Sequence, residues 1–279
     1  METPPQKTTL PYRLGATDLD GTLLGPNKEI SPDNFKAVER LRAAGLQIIL
    51  ASGRRHQNSI RFQRLLGLKG PIIACQGGLI RDGETGDVLE AHFISPALVR
   101  EIVDIGTDAG VQVIYYHLDH LYGGAAHDRW LDLYESRVGE KPEVLPSLEQ
   151  LNGQRALKLV WYGDPNILHP LRPQLESKFA GEVDVLSTEN ENLEFMPAGI
   201  NKATALAKVI AKLRIQAREV VAFGDSENDV AMLRWAGLGV AMNHGTSSAK
   251  AAAKLVSAPG PPETAFARAV EQIFAKKQK

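Results

Sequence analysis

Short apolar runs and segments of helical period alternate along the first third of the chain. Arg13 to Thr17 is short, extended and ends at an acidic turn. Ser31-Pro32 opens a helix, because serine caps and proline suits the first turn. Phe35, Val38 and Leu41 then recur at helical spacing, and Gly45 ends the helix. Gln47 to Ala51 and Pro71 to Cys75 read as strands, with a helix over Gln57 to Leu66 between them. Strands alternating with helices predict a parallel sheet with helices on both faces.

The rhythm then changes. Leu79 to Phe93, with Asp82-Gly83 and Thr85-Gly86 inside it, reads as a hairpin. Helices follow near Ala97 to Ala109, Asp128 to Val138 and Asn166 to Phe179. Strands are expected at Val111 to His117, Ala156 to Tyr162, Val183 to Ser187 and Asn192 to Met196. The first rhythm returns after Pro197. Lys202 to Leu213 is a helix with Leu206, Val209, Ile210 and Leu213 on one face. Glu219 to Phe223 and Leu238 to Met242 are strands around a helix at Val230 to Trp235, and helices are expected near Ser247 to Leu255 and Thr264 to Ala275. The architecture expected is α/β: a doubly wound, mostly parallel, Rossmann-like core over residues 12–85 and 189–279, interrupted by an α+β insert over residues 86–188. An insert of that length has an ordinary domain size.

Composition narrows the function classes. The chain has 279 residues, 43% hydrophobic and 23% charged, with a net charge of −1. Nothing in that balance calls for nucleic acid or an anionic membrane, so any affinity for phosphate has to come from a local site. No apolar run approaches the roughly 18 residues that span a bilayer. Met1 to Pro11 is polar with three prolines, lacks the pattern of a signal peptide and reads as a frayed tail. Cys75 is the single cysteine, which rules out an intrachain disulfide and fits a reducing cytoplasm. It reads as a small buried residue, not a reactive thiol. Oligomeric state is not legible.

Four polar clusters sit at strand ends or at the helix start nearby, where open parallel sheets collect functional residues. In Asp18-Leu19-Asp20-Gly21-Thr22, side chains two apart on an extended segment share a side, so both carboxylates can face one pocket. Two close carboxylates repel, so an ion pair or a divalent cation is expected beside them, and hard oxygen ligands favour Mg²⁺. With phosphate bound, one carboxylate can attack phosphorus while the other handles protons. Taken alone, the pair fits an acidic surface turn equally well. In Ser52-Gly53-Arg54 a hydroxyl can bind a phosphoryl oxygen, and Gly53 leaves backbone N–H groups approachable. Lys202 opens a helix, where the macrodipole favours acids, and makes sense there if it neutralises phosphate and nucleophile. In Gly224-Asp225-Ser226-Glu227-Asn228-Asp229, Asp225 follows an apolar strand, where a metal ligand is well placed. Asn228 and Asp229 can organise its surroundings, although helix capping accounts for one or two of these acids.

Together these clusters resemble the haloacid dehalogenase superfamily of phosphohydrolases, and within it the Cof-type sugar-phosphatase-like subgroup. Asp18-Leu19-Asp20-Gly21-Thr22-Leu23-Leu24, Ala51-Ser52-Gly53-Arg54, Lys202 after Phe195-Met196-Pro197-Ala198-Gly199-Ile200-Asn201, and Gly224 to Leu233 match its four motifs in order. The resemblance implies a phosphoric monoester hydrolase acting on a small phosphorylated metabolite. It makes Asp18 the nucleophile that forms an aspartyl-phosphate, and Asp20 the general acid and base. It makes Asp18, the carbonyl of Asp20 and Asp225 the ligands of Mg²⁺. Ser52, Gly53, Lys202 and Asn228 would surround the phosphate, with Asp229 in support. It turns the insert into a cap, with Tyr115, Tyr116, His117, His120, Tyr122 and Trp161 as candidate substrate contacts. Three positions depart from the pattern: Gln76 before Gly77, Ala203 after Lys202, and the Gly260-Pro261-Pro262-Glu263 segment. A phosphomutase using the same aspartyl-phosphate, and a non-catalytic ligand-binding protein on this fold, are the alternatives.

Overall fold

A computed structural model describes residues 10–124 and 129–275. Most of the expected tail at Met1 to Pro11, and the expected helix start at Asp128, lie outside the described residues. The first third contains β1 (Leu14–Thr17), α1 (Pro32–Ala43), β2 (Gln47–Leu50), α2 (His56–Leu65), β3 (Pro71–Ala74), β4 (Leu79–Asp82) and β5 (Val88–Ala91). The middle contains α3 (Pro96–Asp108), β6 (Gln112–Tyr116), β7 (Leu121–Gly124), α4 (Arg129–Val138), β8 (Glu143–Leu145), β9 (Lys158–Tyr162), α5 (Pro165–Lys178), β10 (Val183–Leu186) and β11 (Asn192–Pro197). The last part contains α6 (Lys202–Leu213), β12 (Val220–Gly224), α7 (Val230–Trp235), β13 (Leu238–Ala241), α8 (Ser247–Ala252), β14 (Leu255–Val256) and α9 (Ala265–Ala275).

One sheet is parallel throughout, in the order β14-β13-β12-β1-β2, and a bridge from Ala51 to Ile73 attaches β3 beyond β2. Strand alternation sends its side chains to two layers. Val221 and Phe223 of β12 pack with Ile48 and Leu50 of β2 against α1 and α9. Val220 and Ala222 pack with Leu14 and Ala16 of β1 against α6 and α7. Because β1 leads to β2 on one side and pairs with β12 on the other, the strand order reverses beside β1. The crevice at the carboxyl ends there is the natural ligand position of such a sheet.

A second sheet of six strands, β10-β11-β9-β6-β7-β8, is antiparallel except for the β7–β8 pair. One of its faces, with Tyr115, Leu159, Trp161 and Phe195, packs under α3 and α5. The pairing does not follow the boundaries expected at residues 85/86 and 188/189. Val88–Ala91 is the return strand of a hairpin with β4, and Asn192–Pro197 lies between β9 and β10.

Three strands were not expected: β7, β8 and β14. Each is short, and β7 ends in two glycines, which carry no apolar alternation. The helix expected over Ser247 to Leu255 stops at Ala252. Leu255 and Val256 instead pair with Val240 and Ala241, an edge pairing that outweighs the helical preference of the Ala/Lys-rich stretch. Cys75 is buried as expected, and burial pushes its thiol up to about 11.

Candidate active site

Asp18 emerges directly from β1, Ser52 lies just beyond β2, and Asp225 emerges from β12, so three neighbouring strands aim their ends at one crevice. Beside them α6 begins with Lys202. Its cap is built locally: the Asn201 side chain accepts from the N–H groups of Ala203 and Thr204, and the Thr204 hydroxyl accepts from the N–H of Asn201. The cap holds Lys202, 0% exposed, with its Nζ 2.7 Å from Asp18 Oδ1 and 2.8 Å from Asp229 Oδ1. The remaining Asp229 oxygen accepts from the N–H groups of Asp225 and Ser226 at 2.9 and 3.1 Å. Asp225 accepts from the Thr22 hydroxyl at 2.7 Å. Gly21 makes this approach possible: it has φ +74°, and a Cβ there would lie 2.4 Å from Asp225 Oδ2.

Asp18, Asp225 and Asp229 place one carboxylate oxygen each within 4.8 Å of one another. Three acids against one lysine leave two negative charges without an answer. Burial, and then the charges of Asp229 and Asp225, push the Asp18 carboxyl well above its ordinary range against the pull of Lys202. Burial and the charge of Asp229 push Asp225 up to about 7. Such a cluster fits a divalent cation in both charge and donor chemistry. Both oxygens of Asp229 are already committed, so the donors left for a cation are those of Asp18 and Asp225.

Asp20 has a different environment. Burial alone would raise its pKa, yet it is held below the ordinary value by Arg54 and Lys28. Arg54 grips it with two bonds of 2.6 Å, and Lys28 donates at 3.0 Å. Arg54 also donates to the Val138 carbonyl at the end of α4, at 3.1 Å. Arg172 on α5 reaches Glu227 at 2.6 Å. These two arms tie the layers around the antiparallel sheet to the loops of the parallel one, over a cavity of about 280 Å³.

The cavity is lined by Asp18, Asp20, Ser52, Gly53, Asp225 and Asn228 from the expected set. Lys202 and Asp229 lie sealed behind Asp18 and do not line it, so in this geometry Lys202 meets carboxylates and not the cavity. Asn228 donates to Gln76 Oε1 at 2.9 Å, and its own Oδ1 is buried without a partner. Of the six candidate cap residues, Tyr116 alone lines the cavity. Tyr115 and Trp161 are in the opposite layer because side chains alternate along a strand. Tyr122 pairs with Tyr115 and packs in that same layer, and His117 and His120 lie in the turn of the β6–β7 hairpin, with His120 stacked on Tyr122.

Residue-level reading of the sequence assigned no role to Arg54, Lys28, Thr22, Lys158 or Glu194. The signal for the last two is a lone charge, at the start of the apolar run of β9 and between Leu193 and Phe195 in β11, where unpaired charge is rarely buried. In the sequence Gln76 stands out only as a departure from the family pattern. It stands in a left-handed turn, Cys75-Gln76-Gly77, with φ of 48°, 59° and 103°. The turn passes so close to α6 that a Cβ on Gly77 would lie 2.4 Å from the Asn201 carbonyl. Its amide spans from Asn228 to Glu194.

Comparison with known proteins gives the family and the fold. The profile of the haloacid dehalogenase-like hydrolases matches residues 16–261. The chain belongs to that family. This hydrolase is 29% identical to the pyridoxal phosphate phosphatase YbhA of Escherichia coli over 265 residues, covering 88% of the chain and 92% of that protein. It is 26% identical over 270 residues to the 5-amino-6-(5-phospho-D-ribitylamino)uracil phosphatase YitU of Bacillus subtilis, covering 95% and 98%. The crystal structure of a haloacid dehalogenase-like hydrolase from Bacteroides thetaiotaomicron superposes with a TM-score of 0.83 at 26% identity, covering 94% of this chain and 100% of the other. The resemblance read from the four motifs and the α/β fold with an added antiparallel sheet are both borne out. Among the described residues, no helix is long and apolar enough to cross a membrane.

Proposed function

We propose that this phosphoric monoester hydrolase removes phosphate from a small phosphorylated metabolite through a covalent aspartyl-phosphate on Asp18, with Mg²⁺, in the cytoplasm. The observation that carries the reading is the buried Asp18–Lys202–Asp229 chain at the carboxyl end of β1. Lys202 fixes the direction of one Asp18 oxygen and offsets part of its charge, while the rest of Asp18 faces the cavity. Relatives named as phosphatases of pyridoxal phosphate, of 5-amino-6-(5-phospho-D-ribitylamino)uracil and of HMP-PP support a small phosphorylated metabolite as the substrate class.

In the first step an Asp18 carboxylate oxygen bonds to phosphorus, the bond from phosphorus to the ester oxygen breaks, and Asp20 gives that oxygen a proton. In the second step Asp20 takes a proton from water, whose oxygen bonds to phosphorus as the Asp18 bond breaks. Inorganic phosphate leaves, Asp18 is a carboxylate again and Asp20 carries its proton again. Arg54 and Lys28 favour the ionised form of Asp20, which suits the second step. The negative charge of a bound phosphate beside Asp20 favours its protonated form, which suits the first. Ser52 and Gly53, with Asn228, surround the phosphoryl oxygens. Asp18 and Asp225, with the carbonyl of Asp20, would hold Mg²⁺, which when bound supplies charge neutralisation for nucleophile and phosphoryl group. The antiparallel sheet acts as the cap that excludes water and meets the leaving group.

Purified protein should hydrolyse p-nitrophenyl phosphate with Mg²⁺, and Asp18→Asn should abolish the activity. An Asp18→Asn protein with full activity would show that Asp18 is not the nucleophile.

A further inference from the structure

The part of the cavity contributed by the antiparallel sheet carries a charged pair that the chemistry at phosphorus does not use. Lys158 on β9 and Glu194 on β11 are 3% and 5% exposed, and both line the cavity. Removing two charges from water is costly, and replacing a buried pair by apolar residues of similar volume is often neutral or stabilising, so a gain in stability is a weak reason for the pair. Glu194 Oε2 accepts from Lys158 Nζ at 2.7 Å and from Gln76 Nε2 at 3.2 Å, and its Oε1 accepts from the Thr188 hydroxyl at 2.9 Å. Lys158 Nζ lies 4.5 Å from the ring centre of Tyr116, its cross-strand neighbour.

Counting bonding capacity shows what is left. An ammonium has three hydrogens; one goes to Glu194 and one to the face of Tyr116, leaving one donor. Oε1 has one partner and so one lone pair to give. A donor beside an acceptor complements two neighbouring hydroxyl groups. Charge gives the second constraint. Among the described residues lining the cavity, every cation already faces a carboxylate: Lys158 faces Glu194, Arg137 faces Glu189 and Glu191, and Lys28 and Arg54 face Asp20. A second anionic group on the substrate would find no free partner. The chain from Asn228 through Gln76 to Glu194 also keeps the acceptor fixed relative to the loop that bears Asp225.

We infer that Lys158 and Glu194 select the leaving group: they take a phosphate ester whose alcohol is uncharged and bears neighbouring hydroxyls, and they disfavour esters with a second anionic group. The inference rests on the phosphatase reading above and adds the residues that set its specificity.

The test compares kcat/KM ratios within each protein for sorbitol phosphate, hexyl phosphate and fructose bisphosphate, with p-nitrophenyl phosphate as a reference. The wild type should prefer sorbitol phosphate over hexyl phosphate by about tenfold or more, because a site that hydrogen-bonds substrate hydroxyls rejects an analogue lacking them. Lys158→Met with Glu194→Gln removes both charges together and so leaves no orphaned buried ion. That double variant should lose most of the preference. Glu194→Gln alone frees the Lys158 charge, and should raise the ratio of bisphosphate to sorbitol phosphate by about tenfold, a gain that mere damage to the fold would not produce. Ratios that are the same in all three proteins, with p-nitrophenyl phosphate hydrolysed by the wild type, would overturn this inference and leave the phosphatase reading standing. A wild type inactive on every ester would bring down both.

Discussion

Replacing Lys202 by methionine keeps much of the side chain's length and removes its charge. The charge sits 2.7 Å from one buried carboxylate and 2.8 Å from another. At an effective dielectric of about 20, each contact represents a Coulomb attraction on the order of 6 kcal/mol before desolvation is charged against it. What experiment sees is smaller. Breaking a buried pair by removing one partner costs about 3–5 kcal/mol, because the other charge is left uncompensated. Against a total stability of about 5–15 kcal/mol, the variant should be folded at neutral pH with a clearly lowered urea midpoint. Loss of one preorganised donor at a reacting group lowers kcat by about 10²–10³. The expected result for Lys202→Met is therefore folded protein with p-nitrophenyl phosphate hydrolysis reduced at least about a hundredfold at saturating Mg²⁺. Lys202→Arg should not rescue it, since the wider guanidinium has no room in a site that is 0% exposed. Folded Lys202→Met protein with activity within tenfold of the wild type would refute the claim that this ammonium organises the nucleophile.

Asp225 and Asp229 are close neighbours with different predicted effects. Asp225→Asn should raise the Mg²⁺ concentration for half-maximal activity by about tenfold or more, while Asp229→Asn, whose oxygens serve Lys202 and two backbone N–H groups, should lower kcat and stability with a smaller change in Mg²⁺ requirement. Equal shifts in Mg²⁺ requirement would mean that Asp229 is also a ligand. His56 gives a pH prediction. Burial, then Arg81 and Arg64, lower its pKa from the usual value of about 6.5 to about 4. Between those values the unfolded chain binds a proton that the native state does not, so stability falls as pH drops from about 6.5 to about 4. Urea titrations of the wild type and His56→Gln across that range should show a shallower fall in the variant, and parallel curves would exclude His56 as a contributor.

The parts of the fold legible in the sequence were those with local signatures. β1, β2 and β12 are apolar runs that end at chemically distinctive turns, and α6 shows a clean apolar stripe. Asp18, Ser52 and Asp225 were readable because each lies just beyond its strand, where the parallel sheet gathers such residues. Lys158 and Glu194 lacked that advantage. They belong to different strands separated by a helix and a further strand, and only the antiparallel pairing of β9 with β11 brings them together. Parity decided the aromatic candidates in the same way. Tyr115 and Tyr116 are adjacent in sequence, yet only one of the two can face the cavity, and the burial of both hides which one it is. Arg54 belongs to the Ser52-Gly53-Arg54 motif, but its partner, Asp20, lies on another loop, so only the folded chain shows its role.

The central claim is that Asp18 carries the phosphoryl group during turnover. Borohydride added to enzyme turning over p-nitrophenyl phosphate with Mg²⁺ reduces an aspartyl-phosphate to homoserine, and mass spectrometry can locate the change in the tryptic peptide Leu14 to Lys28. The account predicts homoserine at position 18, dependent on substrate and absent when substrate is omitted. Homoserine at position 20, or an unmodified peptide from enzyme known to be turning over, would contradict it.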